Sequence, residues 1–203
     1  MSSDKYLLGK DMMSESDSFE KRRKSIRLPE YNYASPGAYF VTLCTHQSCN
    51  FFGEIAGGKI LLNEAGEMVK RWWLKIPDKF PTIQLDTYIL MPNHLHGIIK
   101  ILESNNQPKR VGADPCVRPE EKLAKNQFTS IDATLPDIVK WFKTMSTNEF
   151  IRGIKLGKWD HFNKHLWQRS YYDHVIRKLS NISEVREYIE NNPLRWVVKK
   201  KVK

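Results

Sequence analysis

Two histidines, a tyrosine and an asparagine are the residues whose types and spacing invite chemistry in this chain. The histidines stand in Met91-Pro92-Asn93-His94-Leu95-His96-Gly97-Ile98-Ile99, directly after the apolar, β-rich run Leu85-Asp86-Thr87-Tyr88-Ile89-Leu90. Side chains alternate along a strand, so His94 and His96 share one face while Leu95 points to the other. Two imidazoles about 7 Å apart along one strand can converge on a single metal ion. Tyr188 and Asn192 are i and i+4 near the C-terminus, so one helical face would offer a phenol and a carboxamide oxygen to the same place. Each feature also has a plainer meaning: a structural histidine pair, a packing tyrosine, and an asparagine that stops a helix before proline.

Other constellations are weaker. The chain has no H-E-x-x-H and no clustered cysteines; Cys44, Cys49 and Cys116 are irregularly spaced and give neither a disulfide framework nor a zinc site. His161 and His165 are i and i+4, but Asn163 and the flanking aromatics make a poor helix. A zinc hydrolase of a small molecule therefore lacks its ligands. Tyr171 and Tyr172 rival Tyr188 by residue type, yet they fall in a strand-like segment, His165 to Arg177.

The elements that must position these groups follow from periodicity. Ala38 to Thr45 reads as a central strand. Phe51 to Ile55 and Lys59 to Leu62 form a hairpin about Gly57-Gly58. Asn63 caps a helix from Glu64 to Ile76 that Pro77 ends, with Trp72 and Trp73 as core and rim packing. Ile83 to Leu90 and His94 to Leu102 must be antiparallel neighbours, since only a Met-Pro-Asn corner joins them. Thr134 caps a helix running from Asp137 to about Ile151, with Pro136 in its first turn and Gly153 and Gly157 beyond it. A last helix, capped by Asn181 or Ser183, runs through Asn192 and is closed by Pro193. Strands and helices interleave around a hairpin, which predicts an α+β fold: a ferredoxin-like antiparallel sheet flanked by helices.

The domain organisation expected is a flexible basic arm over 1–28, one domain over 29–196 with an exposed insertion at 104–134, and a basic tail over 197–203. Lys and Arg number 33 against 23 Asp and Glu, a net charge of +10 with pI near 9.5. That excess favours a polyanion, nucleic acid before an anionic membrane surface. No apolar run is long enough to span a bilayer and the N-terminus is polar, so a cytoplasmic location is expected.

Four segments carry a resemblance: Tyr88-Ile-Leu-Met-Pro-Asn-His94-Leu-His96, Val139-Lys-Trp-Phe-Lys143, Leu166-Trp-Gln-Arg-Ser-Tyr-Tyr-Asp-His174 and Tyr188-Ile-Glu-Asn-Asn-Pro193. In that order they resemble the one-tyrosine HUH transposases, and more narrowly the REP-associated tyrosine transposases, over about Pro29 to Trp196. The resemblance implies a metal-dependent single-strand DNA endonuclease and strand transferase acting beside hairpin-forming repeats. By it, His94, His96 and Asn192 hold Mg²⁺ or Mn²⁺, and Tyr188, on the C-terminal helix, is the nucleophile that forms a 5′-phosphotyrosine intermediate. The partner implied is single-stranded or hairpin DNA, bound by a monomer or a homodimer. A non-catalytic protein that binds DNA or RNA hairpins on the same scaffold is the alternative. The active reading demands one geometry: the last helix must lie on the face of the sheet that carries both histidines.

Overall fold

The computed structural model describes residues 32–103, 133–177 and 179–201. The N-terminal arm, the first three residues of the expected domain and nearly all of the 104–134 insertion lie outside the described residues. Among the described residues six strands and five α-helices follow one another, with a 3-10 turn at His46–Ser48 after the first strand: β1 (Gly37–Cys44), β2 (Gly53–Ala56), β3 (Lys59–Leu62), α1 (Glu64–Leu74), α2 (Ile76–Lys79), β4 (Ile83–Met91), β5 (His94–Ile101), α3 (Leu135–Lys155), β6 (Tyr172–Ile176), α4 (Leu179–Glu190) and α5 (Asn192–Lys201). The main sheet has the order β4-β5-β1-β6 with every neighbour antiparallel, and β2 and β3 pair as a separate ribbon. β1, α1 and β4 are a split β-α-β unit with β5 between its strands, and α3 and β6 complete the ferredoxin-like arrangement.

Alternation along the strands divides the sheet into two faces. Tyr39, Val41, Leu43, Leu95 and Ile99 turn inward and pack with α1 and α3 through Met68, Val69, Trp73, Ile138 and Phe142. Gly97 has no side chain because there is no room for one: a Cβ there would lie 2.5 Å from the Trp73 ring. Trp73 is fully buried, whereas the neighbouring Trp72 sits at the edge and donates its indole N–H to Glu149 at 2.6 Å, tying α1 to α3. The opposite face holds a smaller cluster, Ala38, Phe40, Ile98 and Ile176, covered by Ile182, Val185 and Ile189 of α4.

Local signals explain most element ends. The Asn63 side chain accepts from Gly66 N–H, and Thr134 forms a reciprocal capping box with Asp137. Both prolines expected to close helices instead open them. α1 already ends at Leu74, and Pro77 sits in the first turn of α2. Pro193 follows Asn192 in the first turn of α5, which runs to Lys201, so residues 197–201 of the expected basic tail are helical. The reason is the same in each case: a proline has no N–H to lose in a first helical turn, and its fixed φ suits that position. Gly153 lies inside α3, which runs on to Lys155, because Trp159 packs where its side chain would be. The strand expected from His165 is confined to Tyr172–Ile176 at the sheet edge, with one isolated bridge between Thr45 and Trp167.

One irregularity matters for the site. The pairing of β4 with β5 shifts register between Leu85 and Tyr88. This bulge lets Leu85 and Tyr88 both pack with the α1/α3 core, while Asp86 is turned towards α4.

Candidate active site

β5 is the middle of the site because β1 and β4 hold it on both edges. Cys44 pairs with His94 and Thr42 with His96, so both imidazoles stand on the α4 face with Phe40 alongside. Their rings are 4.6 Å apart, centroid to centroid, at a steep angle of 74°. Each imidazole is oriented through Nδ1. His94 Nδ1 donates to Asn93 Oδ1 at 2.6 Å, and His96 Nδ1 is 2.8 Å from Thr42 Oγ1. The tautomers that donate through Nδ1 carry their lone pairs on Nε2, the arrangement usual for a histidine that ligates a metal. His96 is 5% exposed. Burial, and secondarily the neighbouring His94, hold its imidazole well below the ordinary histidine range, so it is neutral at neutral pH. A neutral imidazole is the form a cation needs.

α4 lies over this pair. The Tyr188 ring is 5.5 Å from His96 and 6.0 Å from Phe40, both edge-on, and Phe40 itself stacks on His96 at 5.4 Å. Asn192 is 8% exposed at the first position of α5, one turn beyond Tyr188. A further turn on, Trp196 packs against His94 at 5.6 Å, and the Arg195 guanidinium lies 5.0 Å from the Tyr188 ring. Tyr188 thus meets His96 and Trp196 meets His94, with Asn192 between them along the chain.

The residues present fit a divalent cation in kind: two imidazoles, that of His96 neutral, and a buried carboxamide on the adjoining helix. Among the described residues no three His, Cys, Asp or Glu side chains come together.

The rival residues fall elsewhere. Tyr171 belongs to the α1/α3 side, with the Lys143 ammonium 5.5 Å from its ring. Tyr172 shares the α4 face and lies near Phe40, but burial first, then Asp173 and Tyr188, push its phenol pKa up. That makes it a poorer source of phenolate. His165 packs against His46 at 5.7 Å, away from the pair. Lys143 on α3 gives its ammonium to the carbonyls of Gln168 and Ser170 and pins the loop before β6.

Four contributors escaped the sequence reading: Thr42, Phe40, Trp196 and the ion pair of Asp86 with Arg186. Thr42 and Phe40 needed the β1–β5 register. Trp196 needed Pro193 to open a helix. Asp86 left a trace, being the lone charge within Leu85-Asp86-Thr87-Tyr88-Ile89-Leu90.

Comparison with known proteins bears on the same segments. Residues 129–192, which include both Tyr188 and Asn192, match the family model described as transposase, IS200-like. An uncharacterized protein of Haemophilus influenzae Rd is 36% identical over 181 residues, covering 86% of this chain and 89% of its own. A REP-associated tyrosine transposase solved bound to a REP hairpin is 20% identical, with a TM-score of 0.43, covering 90% of this chain and 74% of that one. A Deinococcus radiodurans R1 crystal structure, provisionally assigned as a transposase, is 18% identical with a TM-score of 0.43 over 81% of this chain and 97% of that one. The matched segment covers less than half of the chain and takes in both Tyr188 of α4 and Asn192 at the start of α5, so over residues 129–192 the chain is similar to the IS200-like transposases.

Proposed function

We propose that this protein is a metal-dependent endonuclease and strand transferase for single-stranded DNA beside hairpin-forming repeats, of the REP-associated kind. The observation that carries the reading is the convergence of His94, His96 and the Tyr188 ring on one face of the sheet. Mg²⁺ or Mn²⁺, held by His94, His96 and Asn192, would supply Lewis-acid stabilisation of charge on the scissile phosphate; two nitrogen donors favour Mn²⁺.

The chain's own groups account for the remaining steps. The Tyr188 hydroxyl attacks phosphorus in line, forming a bond from Oη to phosphorus while the bond to the 3′-oxygen breaks. The phenolic proton passes to solvent, and the departing 3′-oxygen takes a proton from solvent to leave as a hydroxyl. The result is a 5′-phosphotyrosine linkage and a free 3′ end. A phenol in model peptides, with a pKa near 10, is almost wholly protonated at neutral pH, so attack requires the phenolic proton to leave as the bond to phosphorus forms. The phosphotyrosine retains the energy of the original diester, so attack by another 3′-hydroxyl reverses the step onto a new strand. Lys and Arg residues on the surface would hold the backbone, and aromatic side chains would stack unpaired bases.

The test is a labelled single-stranded hairpin oligonucleotide incubated with Mn²⁺ and resolved under denaturing conditions. A covalent adduct is expected with the native protein and none with Tyr188→Phe, whose melting temperature should be unchanged. An adduct that survives Tyr188→Phe would remove Tyr188 from the chemistry. Tight, salt-sensitive hairpin binding with no adduct under any divalent metal would establish the non-catalytic alternative instead.

A further inference from the structure

We infer that Asp86, Arg186 and Lys100 form a positioning latch that sets where α4 sits on the sheet and so where Tyr188 stands relative to His96; its bearing on catalysis rests on the function proposed above. The Asp86 carboxylate takes two parallel bonds from the Arg186 fork, Nε to Oδ1 at 2.8 Å and Nη2 to Oδ2 at 2.7 Å. Oδ1 also accepts from Thr87 N–H at 2.7 Å, and Lys100 Nζ lies 2.5 Å from Oδ2. The side chain is only 7% exposed. Every acceptor direction of a nearly buried carboxylate is therefore used, and three elements meet on it: β4, β5 and α4.

The rest of the contact between α4 and the sheet cannot set that position by itself. Ile182, Val185 and Ile189 rest on Ala38, Phe40, Ile98 and Ile176, and such apolar contact holds a helix down without fixing its rotation or its slide along its axis. A slip of one turn would displace the phenol by about 5.4 Å. The guanidinium fork is different, because a bidentate pair has one good geometry. Arg186 is two residues from Tyr188, so any slide or rotation that carries the phenol away from His96 also breaks the fork. The bulge in β4 is what makes the latch possible, since it gives Asp86 to the α4 face while Leu85 and Tyr88 stay in the core. Burial, which would raise a carboxyl pKa, is outweighed by Arg186 and Lys100, which hold Asp86 ionised far below the usual carboxylate range.

Arg186→Gln tests the latch without stranding a buried charge, because Lys100 still faces Asp86; Arg186→Lys restores the charge but not the fork. Amide hydrogen exchange followed by mass spectrometry is the first readout. In Arg186→Gln, residues 182–190 should exchange at least about tenfold faster while β1 and β5 keep their protection, and Arg186→Lys should fall between the two. Unchanged protection of 182–190 would overturn the latch. The second readout is adduct formation on the hairpin oligonucleotide with Mn²⁺. A drop of about ten- to a hundredfold in rate at saturating DNA, with hairpin affinity unchanged, is the mark of a misplaced nucleophile. Loss of affinity at an unchanged saturated rate would overturn the positioning role and make Arg186 a DNA contact. If the native protein forms no adduct at all, the proposed function fails, and the exchange measurement still decides whether the latch exists.

Discussion

The two faces of one sheet are built to different rules. Behind β1 and β5, towards α1 and α3, the side chains are large, aromatic and fully buried: Tyr39, Trp73, Phe142 and Phe52 interlock with Leu43, Leu95 and Ile99. On the other side the apolar cluster is small, and polar groups stand among it: Thr42, His94, His96, Tyr172, Tyr188 and the Asp86 latch. The first face accounts for why the domain folds. The second is held by directional bonds that orient both histidines, which a dense hydrocarbon core would not permit without partners. The main core and the candidate site are thereby separated by the thickness of a single strand.

The largest expected effect breaks the comparison from the stable side. Trp73→Ala removes the largest fully buried side chain and should cost about 3–5 kcal/mol in chemical denaturation, while the protein still folded at low temperature should form adduct at the native rate. If adduct chemistry collapses in parallel with the folded fraction held constant, the two faces are not independent. Next comes the oriented face. Thr42→Val is nearly isosteric but removes the partner of His96 Nδ1, so Mn²⁺ affinity measured by calorimetry should weaken by about ten- to a hundredfold. An unchanged affinity would mean that the hydroxyl does not orient the ligand.

The smallest effect is one of pH. Asp86 has its folded-state pKa depressed, chiefly by Arg186 and then by Lys100. Such a group stabilises the fold in full above its unfolded value, about 3.9, and the stabilisation is lost as pH falls below that towards the folded value. Between pH 7 and about 4.5 the stability gap between the native protein and Asp86→Asn should be flat, and below about pH 4 it should narrow. A gap that already closes between pH 7 and 5 would place the coupling elsewhere.

How far the sequence could be read follows the range of the interactions concerned. Asn63 and Thr134 are caps that act within three residues, and Met91-Pro92-Asn93 is a corner that acts within its own turn; each was visible because its partner is local. The alternation that aligned His94 with His96 needed only β5 itself. What could not be read depended on neighbours distant in sequence. Thr42 reaches His96 only through the β1–β5 register, and Arg186 reaches Asp86 across the whole of α3 and β6. The prolines misled for a related reason. Pro77 and Pro193 cannot lie inside a helix, but whether each ends one or begins the next depends on what the following residues can pack against. For α5 that is the His94 ring beneath Trp196.

The bulge at Asp86 and Thr87 can also be seen as a change of parity. A regular strand ties odd positions to one side and even positions to the other, so a strand that must give Leu85 and Tyr88 to the core cannot also obey strict alternation. One extra residue resets the count in mid-strand, and the two halves of β4 run out of phase. Deleting Thr87 would bring the halves back into phase. Tyr88 would then turn from Trp73 towards the tyrosine helix, or everything before it would invert, and no side chain would need to change for either failure to occur.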